Sequence, residues 1–509
     1  MTGLSANKDT IVLFYPASWP EGTRGRIPYA LLYLERMIRD LGLRVVLIDE
    51  QVTRDYRGVL LEHGERLLLA GVSVMTGEQI RGGIRFSETV RELSSASIVW
   101  GGWHPSLLPE ETLRESYVDY VVIGQGECSF RRLVEALRDG QEPGLIPGVG
   151  YKSGEGVIIT PGEVFRDINL FPRIDLSLVD INEYVFRTVY SDRCLGYFCS
   201  HGCPYSCAFC CVANVYGRRW YRKSIDEIIE DLRYFKETAQ VKSVTFDDDN
   251  FFVDRDFAIE FCHRLIASGL DLLWDTSAHA GVFLKKFSDE DVALFRRSGC
   301  RQIYIGAESG DQRVLDRISK GTRVEDNLRF VELLQRHDIV PMMSTMICFP
   351  QGDGADVSLT LDLLRRAKLQ VPSLRARIFF YTPYPGTELY EEARQHGFVP
   401  PERLADWPRH TLRKFRPPWS SGDYRRQLEI FANFYFPLAD SRFYQSIPVV
   451  KLRPLVFLVN KLFYPLVLLR MRRNFFRWPV EAVLFLGALR LFNRMMGTRF
   501  CLGYESYLD

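Results

Sequence analysis

The sequence predicts an α/β protein with a doubly wound parallel sheet, then a partial barrel, then a mainly helical region. Three observations lead to this fold class. Strand-like and helical patterns alternate in two separate series, a stretch rich in proline and glycine divides the two series, and roughly the last hundred residues lose the alternation. With 509 residues, the chain is long enough for two or three domains.

The first series lies within residues 1–140. Its predicted strands are Thr10–Tyr15, Arg44–Asp49, Leu67–Val74, Ser97–Trp100 and Val118–Ile123, and its predicted helices are Pro28–Gly42, Gln79–Leu93 and Phe130–Leu137. Alternation of this kind favours parallel βαβ units, so we expect a Rossmann-like domain whose ligand lies beyond the carboxyl ends of the strands. Those ends carry Ser73–Gly77, Gly101–Pro105 and Gly124–Glu127.

Residues 141–188 are predicted to be a linker with a small hairpin around Gly148–Thr160, because prolines and glycines punctuate this stretch. The second series occupies residues 189–400. Its predicted strands are Arg193–Cys199, Lys242–Phe246, Leu272–Thr276, Gln302–Ala307, Val340–Ile347 and Arg375–Tyr381, with helical patterns between them. Six such units predict a partial (β/α)6 barrel with its site at the carboxyl ends of the strands.

Residues 401–509 are expected to be mainly helical, basic and aromatic. Lys451–Arg499 contains ten Lys or Arg residues and one acid, Glu481. The apolar run Leu455–Leu469 is shorter than the roughly 20 residues that a membrane-spanning helix needs. Two interpretations stay open: the region lies on an anionic membrane surface, or it is a helical cap that buries its apolar face on the barrel and points its arginines outward.

The net charge and the positions of the cysteines are the most informative features of the composition. The net charge of +1 offers no argument for nucleic acid as a partner. Six of the eleven cysteines fall between Cys194 and Cys211, which predicts a metal site in a reducing compartment. The N-terminal residues lack the pattern of a secretory signal, so a cytoplasmic location is expected.

The cysteine segment His201–Cys211 reads HGCPYSCAFCC. The spacing Cys203-x3-Cys207-x2-Cys210 places three thiolates within one loop, and thiolates are the usual ligands of a cubane cluster. A cubane has four irons, so three cysteines leave one iron open to chelation by an amine and a carboxylate. A structural zinc site is the alternative, but zinc usually takes four ligands at wider spacing.

These residues resemble the radical S-adenosylmethionine superfamily, whose pattern is C-x3-C-x-aromatic-C. The resemblance implies a 4Fe–4S cluster on Cys203, Cys207 and Cys210, and S-adenosylmethionine as a cofactor. The residues that match its nucleotide site are Phe209, Asp248, Gly306, Glu308 and Ser309, and TPYPGTEL at Thr382–Leu389 matches a turn of one subset.

Several residues near this site stay open to more than one interpretation. Asp247 to Asp249 match an acidic strand end of the superfamily or simply cap the next helix. Cys348 stands where relatives usually have glycine. The segment WDTSAHA, at the end of the third predicted barrel strand, lacks an arginine that relatives often have there. The resemblance therefore does not define the shape of the substrate pocket. We expect Cys194, Cys199 and Cys211 to be structural thiols outside the cluster.

The first domain resembles the cobalamin-binding domain of one class of this superfamily. Residues that match its loops are Ser73, Thr76, Gly77, Gln79, Gly101, Gly102, Gly124, Gly126 and Glu127. None of the eight histidines has an aspartate two positions before it, so the histidine motif that ligates cobalt is absent, and we do not interpret His104 as a ligand. A domain that no longer binds cobalamin is the alternative; a nicotinamide site is disfavoured, because G-x-G-x-x-G does not follow the first strand.

The resemblance implies an enzyme that generates a 5′-deoxyadenosyl radical, and we expect a cobalamin-dependent C-methyltransferase that acts on an unactivated carbon. The alternatives are a cobalamin-dependent oxidoreductase or cyclase on a tetrapyrrole or lipid, and a non-catalytic sensor. The expected partners are a small, hydrophobic substrate, a flavodoxin- or ferredoxin-type reductant, and a membrane surface touched by residues 451–499. No motif identifies the substrate or the groups that act on it.

Overall fold

The computed structural model describes residues 8–17, 26–154, 156–350, 354–412, 414–420, 424–447, 450–497 and 502. The first domain is built on a seven-stranded sheet with the order β2-β1-β3-β4-β5-β6-β7. Its strands are β1 (Thr10–Tyr15), β2 (Arg44–Asp49), β3 (Leu67–Ser73), β4 (Ser97–Gly101), β5 (Tyr120–Val122), β6 (Val149–Ser153) and β7 (Gly156–Ile159). Its helices are α1 (Tyr29–Ile38), α2 (Tyr56–His63), α3 (Glu78–Leu93), α4 (Trp103–Leu107), α5 (Pro109–Arg114) and α6 (Glu127–Arg138).

The predicted doubly wound fold is confirmed for the first five strands, which pair in parallel. Two features differ from the expectation. The hairpin placed in the linker is present as β6 and β7, but it pairs antiparallel with β5 and so extends the first sheet. Helices α2, α4 and α5 were not predicted; all three are short, and α2 buries only Leu60.

The second domain is an open half-barrel. Its strands are β8 (Cys194–Tyr197), β9 (Ser200–Gly202), β10 (Trp220–Arg222), β11 (Ser243–Phe246), β12 (Leu273–Ala278), β13 (Cys300–Glu308), β14 (Val340–Ile347) and β15 (Arg375–Phe380). Its helices are α7 (Val212–Tyr216), α8 (Ile225–Ala239), α9 (Arg255–Ala267), α10 (Ala280–Lys286), α11 (Asp289–Arg297), α12 (Gln312–Arg317), α13 (Val324–Arg336), α14 (Ala355–Gln370) and α15 (Glu388–Gln395). Six strands pair in parallel in the order β15-β14-β13-β12-β11-β8, which confirms the predicted partial barrel.

An aromatic core fixes the half-barrel beneath its site. Phe246, Phe251, Phe261 and Trp274 are buried, and their rings contact one another edge to face or at a tilt with centroids 5.2–6.1 Å apart. Such ring pairs add stabilisation beyond the apolar area that they bury. The strand ends above this core therefore have a rigid base.

The C-terminal region is helical, as expected. It contains α16 (Arg425–Ile430), a π-helical turn at Phe431–Tyr435, α17 (Phe436–Leu438), α18 (Arg453–Arg473) and α19 (Val480–Met496). Helix α18 is longer than the apolar run in the sequence suggested, because Asn460, Lys461 and Pro465 are all accommodated within 21 helical residues. By length and composition it is the one described helix that is long and apolar enough to cross a membrane, and 22% of that window is buried.

Candidate functional site

The cysteine loop is held between β9 and α7. The ribbon of β9 and β10 brings Gly202 against Trp220, and Gly202 has φ +84°. A Cβ atom on Gly202 would lie 2.2 Å from the carbonyl oxygen of Arg219, so only glycine fits immediately before Cys203. The first predicted ligand is thus placed by a close approach of two backbones.

The centre of the loop is anchored at Ala208, between Cys207 and Cys210. The Ala208 amide donates to the carbonyl of Ile318 (2.9 Å), and the Ala208 carbonyl accepts from the amide of Leu389 (3.1 Å). The Cys210 amide donates to the carbonyl of Cys207 (3.0 Å), which tightens the turn between the two cysteines. Segments distant in sequence therefore fix the path of the loop.

The three predicted cluster ligands are partly exposed free thiols on this loop. Burial raises the pKa of Cys203 to about 11 and that of Cys210 to about 12, and it raises the pKa of Cys207 as well. A bound cation is needed to hold them as thiolates at neutral pH. In the described part of the chain, no three His, Cys, Asp or Glu side chains are arranged to hold a single metal ion. A cubane does not require this, since each thiolate binds its own iron.

Cys194, Cys199 and Cys211 have other surroundings. The Sγ of Cys194 is buried 3.5 Å from the hydroxyl of Thr245, and the thiol of Cys199 donates to Asp248 (3.3 Å). Cys211 lies at the start of α7, beyond the turn that carries Cys210. Their assignment as structural thiols stays a prediction, and the surroundings of Cys194 and Cys199 agree with it.

Of the three aspartates after β11, Asp248 and Asp249 brace β9, which leads into the loop, and neither caps a helix. Asp248 accepts from the amide and the hydroxyl of Ser200, and Asp249 accepts from the amide of Gly202 (3.0 Å). The cap of α9 is Asp254, so the helix-cap interpretation of these aspartates is wrong. Burial raises the pKa of Asp248 to about 7. Its predicted contact with S-adenosylmethionine stays a prediction, since its oxygens are occupied by neighbours in the chain.

Glu308 ends β13 in a left-handed conformation, with φ +58°. Its Oε1 accepts from the Nζ of Lys320 at 2.8 Å, and both side chains are more than nine-tenths buried. A Cβ on Gly306 would lie 3.0 Å from that Nζ, so glycine leaves the space that the pair occupies. Two predicted site residues, Gly306 and Glu308, therefore meet beside the loop.

Lys320 is a site residue that sequence reasoning missed. Its Nζ lies 5.8 Å from the ring centroid of Phe209, the predicted aromatic position of the cysteine motif. Burial lowers its pKa, but the carboxylate of Glu308 and the neighbouring thiols of Cys207 and Cys210 outweigh burial, and the pKa of Lys320 is raised. The ammonium group of Lys320 thus lies beside the cysteine loop, and no spacing in the sequence links it to the predicted ligands.

Ser309 is fully buried, and its hydroxyl accepts from the amide of Asp311 (3.0 Å), the cap of α12. Cys348 follows β14 with φ +58°, the conformation for which the expected glycine is suited. Its carbonyl accepts from the indole of Trp419 (2.9 Å), and its thiol lies 3.6 Å from the hydroxyl of Ser420. The C-terminal region therefore covers this strand end.

The loops predicted to hold cobalamin meet at the carboxyl edge of the first sheet. Gly77 and Gly102 have φ +115° and +93°, and a Cβ on Gly102 would lie 2.6 Å from the carbonyl oxygen of Val74. The side chain of Gln79 closes the first loop: it accepts from the amide of Met75 (2.8 Å) and donates to the carbonyl of Pro16 (2.9 Å). These glycines let the loop backbones pack closely on neighbouring segments of the chain, and the loops meet beyond the carboxyl ends of parallel strands, where the ligand of such a domain binds.

Thr76 and Gly124 are tied by hydrogen bonds to α4, the short helix after β4. The hydroxyl of Thr76 lies 3.1 Å from Nδ1 of His104, and the amide of Gly124 donates to the hydroxyl of Ser106 (2.9 Å). His104 is fully buried, its Nε2 has no hydrogen-bond partner in the described part, and burial lowers its pKa to about 3. It is therefore neutral at physiological pH.

The remaining predicted cobalamin residues surround this edge with one exception. Ser73 and Gly101 pair across β3 and β4, and Gly126 precedes α6. Glu127 instead pairs with Arg36 of α1 at 3.1 Å, and burial raises its pKa. Its carboxylate is occupied by this ion pair, so its predicted contact with cobalamin stays a prediction.

The two predicted sites face each other. Trp103 of α4 stacks edge to face on Tyr216 of α7, with centroids 5.5 Å apart. Across the same boundary, the guanidinium of Arg26 pairs with Asp247 (2.6 Å), and the hydroxyl of Tyr33 lies 2.9 Å from Nε2 of His201. The elements that follow the cysteine motif are thus packed against those that follow β4.

Comparison with known protein families agrees with this geometry. Residues 27–134 match the model of the B12 binding domain, and residues 197–364 match the model of the Radical SAM superfamily. The chain belongs to the cobalamin-binding radical S-adenosylmethionine family. As members of this family do, the enzyme uses a 4Fe–4S cluster, S-adenosylmethionine and cobalamin.

The names of individual relatives describe two kinds of enzyme, methyltransferases and a cyclase. The chain is 30% identical over 303 residues to an uncharacterized methyltransferase of Pyrococcus horikoshii, a match that covers 58% of this chain and 62% of that protein. It is 25% identical over 403 residues to the anaerobic magnesium-protoporphyrin IX monomethyl ester cyclase of Synechocystis, covering 77% and 78%. The fold is similar to that of the radical S-adenosylmethionine methyltransferase TsrM of Kitasatospora setae, with a TM-score of 0.62, 18% identity and coverage of 77% and 76%.

Proposed function

We propose that this enzyme is a cobalamin-dependent C-methyltransferase that acts on an unactivated carbon of a small, hydrophobic molecule. The observation that carries the proposal is the contact between α4 and α7, which brings the loops predicted to hold cobalamin and the cysteine loop together. A methyl donor on one side and a radical source on the other need such proximity, because the substrate carbon must reach both. The methyltransferase of Pyrococcus horikoshii, as named, supports the same reaction class.

In this proposal, Cys203, Cys207 and Cys210 hold the cluster, and the strand-end glycines Gly77, Gly102 and Gly124 allow cobalamin to approach the backbone. When bound, the cofactors supply one-electron cleavage of S-adenosylmethionine and delivery of a methyl group, with electrons from a flavodoxin- or ferredoxin-type protein.

The protein contributes placement and charge. Lys320 provides a cation beside the cysteine loop and holds Glu308 in its left-handed conformation at the end of β13. We place the amine and ribose of S-adenosylmethionine near that carboxylate, since a carboxylate binds cations and paired hydroxyls. Asp248 and Asp249 accept hydrogen bonds from the amides of Ser200 and Gly202 and so position the strand that leads into the loop.

A second candidate is an oxidoreductase or cyclase with the same cofactors and no methyl transfer. The match to the protoporphyrin ester cyclase favours it, because this match extends over more than three quarters of both chains. A sensor without catalysis is the third candidate, and it predicts no consumption of S-adenosylmethionine under reducing conditions.

The mass of the product distinguishes these candidates. We expect the anaerobically reconstituted enzyme, with reductant and candidate substrates, to release 5′-deoxyadenosine and a product heavier by one methylene unit. A label in the methyl group of S-adenosylmethionine should appear in that product. A product that has lost hydrogens or gained oxygen, without the label, would support the cyclase class instead.

The loops predicted to hold cobalamin can be tested without turnover. Met75 is 50% exposed at the tip of the loop after β3, so glutamate is tolerated there by the fold. We expect Met75→Glu to lower cobalamin retention by at least about tenfold, because binding would bury an unpaired carboxylate. Absorbance of bound cobalamin after gel filtration measures this, with iron content unchanged.

The matched control is Leu61→Glu on α2, where Leu61 is 63% exposed and the helix leads back to the opposite edge of the sheet. Equal cobalamin retention by Met75→Glu and Leu61→Glu would show that cobalamin does not lie on this loop.

A further inference from the structure

The last two helices expose an apolar face that the proposed function does not use. Each helix has apolar side chains three, four or seven residues apart, so each set lies on one side of its helix. The apolar face consists of Leu455, Leu458, Leu462, Leu466 and Leu469 on α18 and Val480, Leu484, Leu491 and Met495 on α19, and Phe457, Val483 and Phe492 are exposed outside it. Exposure ranges from 39% for Leu466 to 76% for Met495, and a contiguous face of this kind usually marks an interaction site.

The opposite sides of these helices are packed on the protein. Val456, Val467 and Met471 of α18 are buried, and the side-chain amide of Asn460 donates to the carbonyl of Asp440 (3.0 Å). Phe463 of α18 lies 5.7 Å from Phe485 of α19, centroid to centroid, and both rings pack on Phe434. The helices are thus docked as a hairpin, and the exposed face is their outer side.

The charges around the face are almost all positive. Among the described residues of 450–497, Glu481 is the sole acid, and it is occupied by Arg470 (2.9 Å) and the hydroxyl of Tyr435 (2.7 Å). Arg472, Arg473 and Arg477 are exposed, and none forms an ion pair with a described residue. These arginines lie at the turn of the hairpin.

Large aromatic side chains stand at the same turn. Trp478 is 80% exposed and Phe475 is 45% exposed. Tryptophan beside arginine and an apolar helix face is the pattern of helices that lie in the headgroup layer of a bilayer.

We propose that this outer face of α18 and α19 binds the surface of a bilayer that contains anionic lipid. The apolar side chains enter the acyl boundary, and Arg472, Arg473 and Arg477 contact the headgroup phosphates. The enzyme would then work at the surface of the bilayer, in which poorly soluble molecules are dissolved. Binding to a membrane goes beyond the reaction proposed above.

The contacts of α18 favour a helix that lies on the bilayer over one that crosses it. Its inner side is held by the protein through Asn460 and Met471, and its outer side carries Lys461 and Pro465. A spanning helix would have to release the buried side and the hydrogen bonds of Asn460.

A second copy of the chain fits the face less well than lipid does. If the same surface of two copies paired, two arginine-rich surfaces would face each other. The sole described acid of residues 450–497, Glu481, is already paired with Arg470 and could not offset their charge. Beside the face, a groove of about 790 Å³ has an apolar part, which includes Ile430, Phe431, Val480 and Leu484, and a polar part, which includes Asp362 and Arg426. Flexible acyl chains can fill the apolar part of such a groove.

Sedimentation of the full-length holoenzyme with vesicles tests the proposal. We expect it to bind vesicles of phosphatidylcholine with phosphatidylglycerol and to remain in solution with phosphatidylcholine alone. Leu462→Glu with Leu484→Glu should weaken binding by at least about a hundredfold, since each substitution puts a carboxylate where an apolar side chain enters the acyl boundary. Arg472→Gln, Arg473→Gln and Arg477→Gln together should weaken it by about a hundredfold at low salt, about fivefold for each arginine.

Matched controls use exposed residues far from the face. Leu145→Glu with Val399→Glu, at residues 78% and 76% exposed, and Arg44→Gln with Arg54→Gln and Arg233→Gln should bind vesicles as the unmodified enzyme does. Unchanged iron content confirms that each variant is folded.

Three outcomes would overturn the proposal. They are failure of the unmodified enzyme to bind either vesicle, equal binding by the leucine variants and the controls, and a dimer in solution that the leucine variants dissociate without any vesicle binding. The last would assign the face to contact between copies of the chain.

Discussion

Replacing Cys207 by alanine is expected to abolish cluster assembly and, with it, the cleavage of S-adenosylmethionine. Two backbone hydrogen bonds of Ala208 hold the loop in place, so the substitution removes a ligand without removing the fold. Iron content after anaerobic reconstitution should fall to background, and 5′-deoxyadenosine formation should fall by more than about a hundredfold. The magnitude follows because even outer partners of metal ligands are worth ten- to hundredfold.

Cys211→Ala is the matched control, since Cys211 is a partly exposed thiol next to Cys210. It should retain the iron and the cleavage activity. Retention of a full cluster by Cys207→Ala, or its loss in Cys211→Ala, would mean that the ligand set is assigned to the wrong cysteines.

Replacing Lys320 by methionine is expected to destabilise the enzyme and to weaken the binding of S-adenosylmethionine. The substitution leaves Glu308 buried without its partner, and breaking a buried ion pair in this way costs about 3–5 kcal/mol. The free energy of unfolding of the unloaded chain and equilibrium dialysis with S-adenosylmethionine measure the two effects.

A double-mutant cycle separates the pair from the individual side chains. Lys320→Met with Glu308→Met should recover part of the lost stability, because no unpaired charge remains, while S-adenosylmethionine binding stays weak. Lys320→Arg, which keeps the cation, should bind more tightly than Lys320→Met. Equal loss of stability in the single and double variants would argue that the pair is not coupled.

Local patterns in the sequence predicted the strands well. The bounds of β1, β2 and β14 agree with the predicted runs residue for residue. In β1 the reason is that a buried parallel strand is an almost unbroken apolar segment. The hairpin of β6 and β7 was located, but its pairing with β5 was not, since strand partners are chosen by contacts between distant segments.

The same limit applied to the C-terminal helices. An apolar run bounded by charges was interpreted as too short to span a bilayer, yet α18 continues from Arg453 to Arg473. The apolar periodicity of α18 alone could not predict which side of the helix would pack on the rest of the protein. That depended on Phe434 and Asn460 meeting across segments separated in sequence.

The sequence by itself determined the chemistry: three cysteines at a fixed spacing, the glycine-rich strand ends, and the family to which both belong. These are local properties, because the three cysteines predicted to bind the cluster lie within one short loop and the glycines lie within single turns. Only the tertiary structure decided that Lys320 neutralises Glu308 beside those cysteines, that α4 packs on α7, and that two helices turn an apolar face outward. Each of these is a contact between distant parts of the chain, which folding brings together and spacing cannot predict.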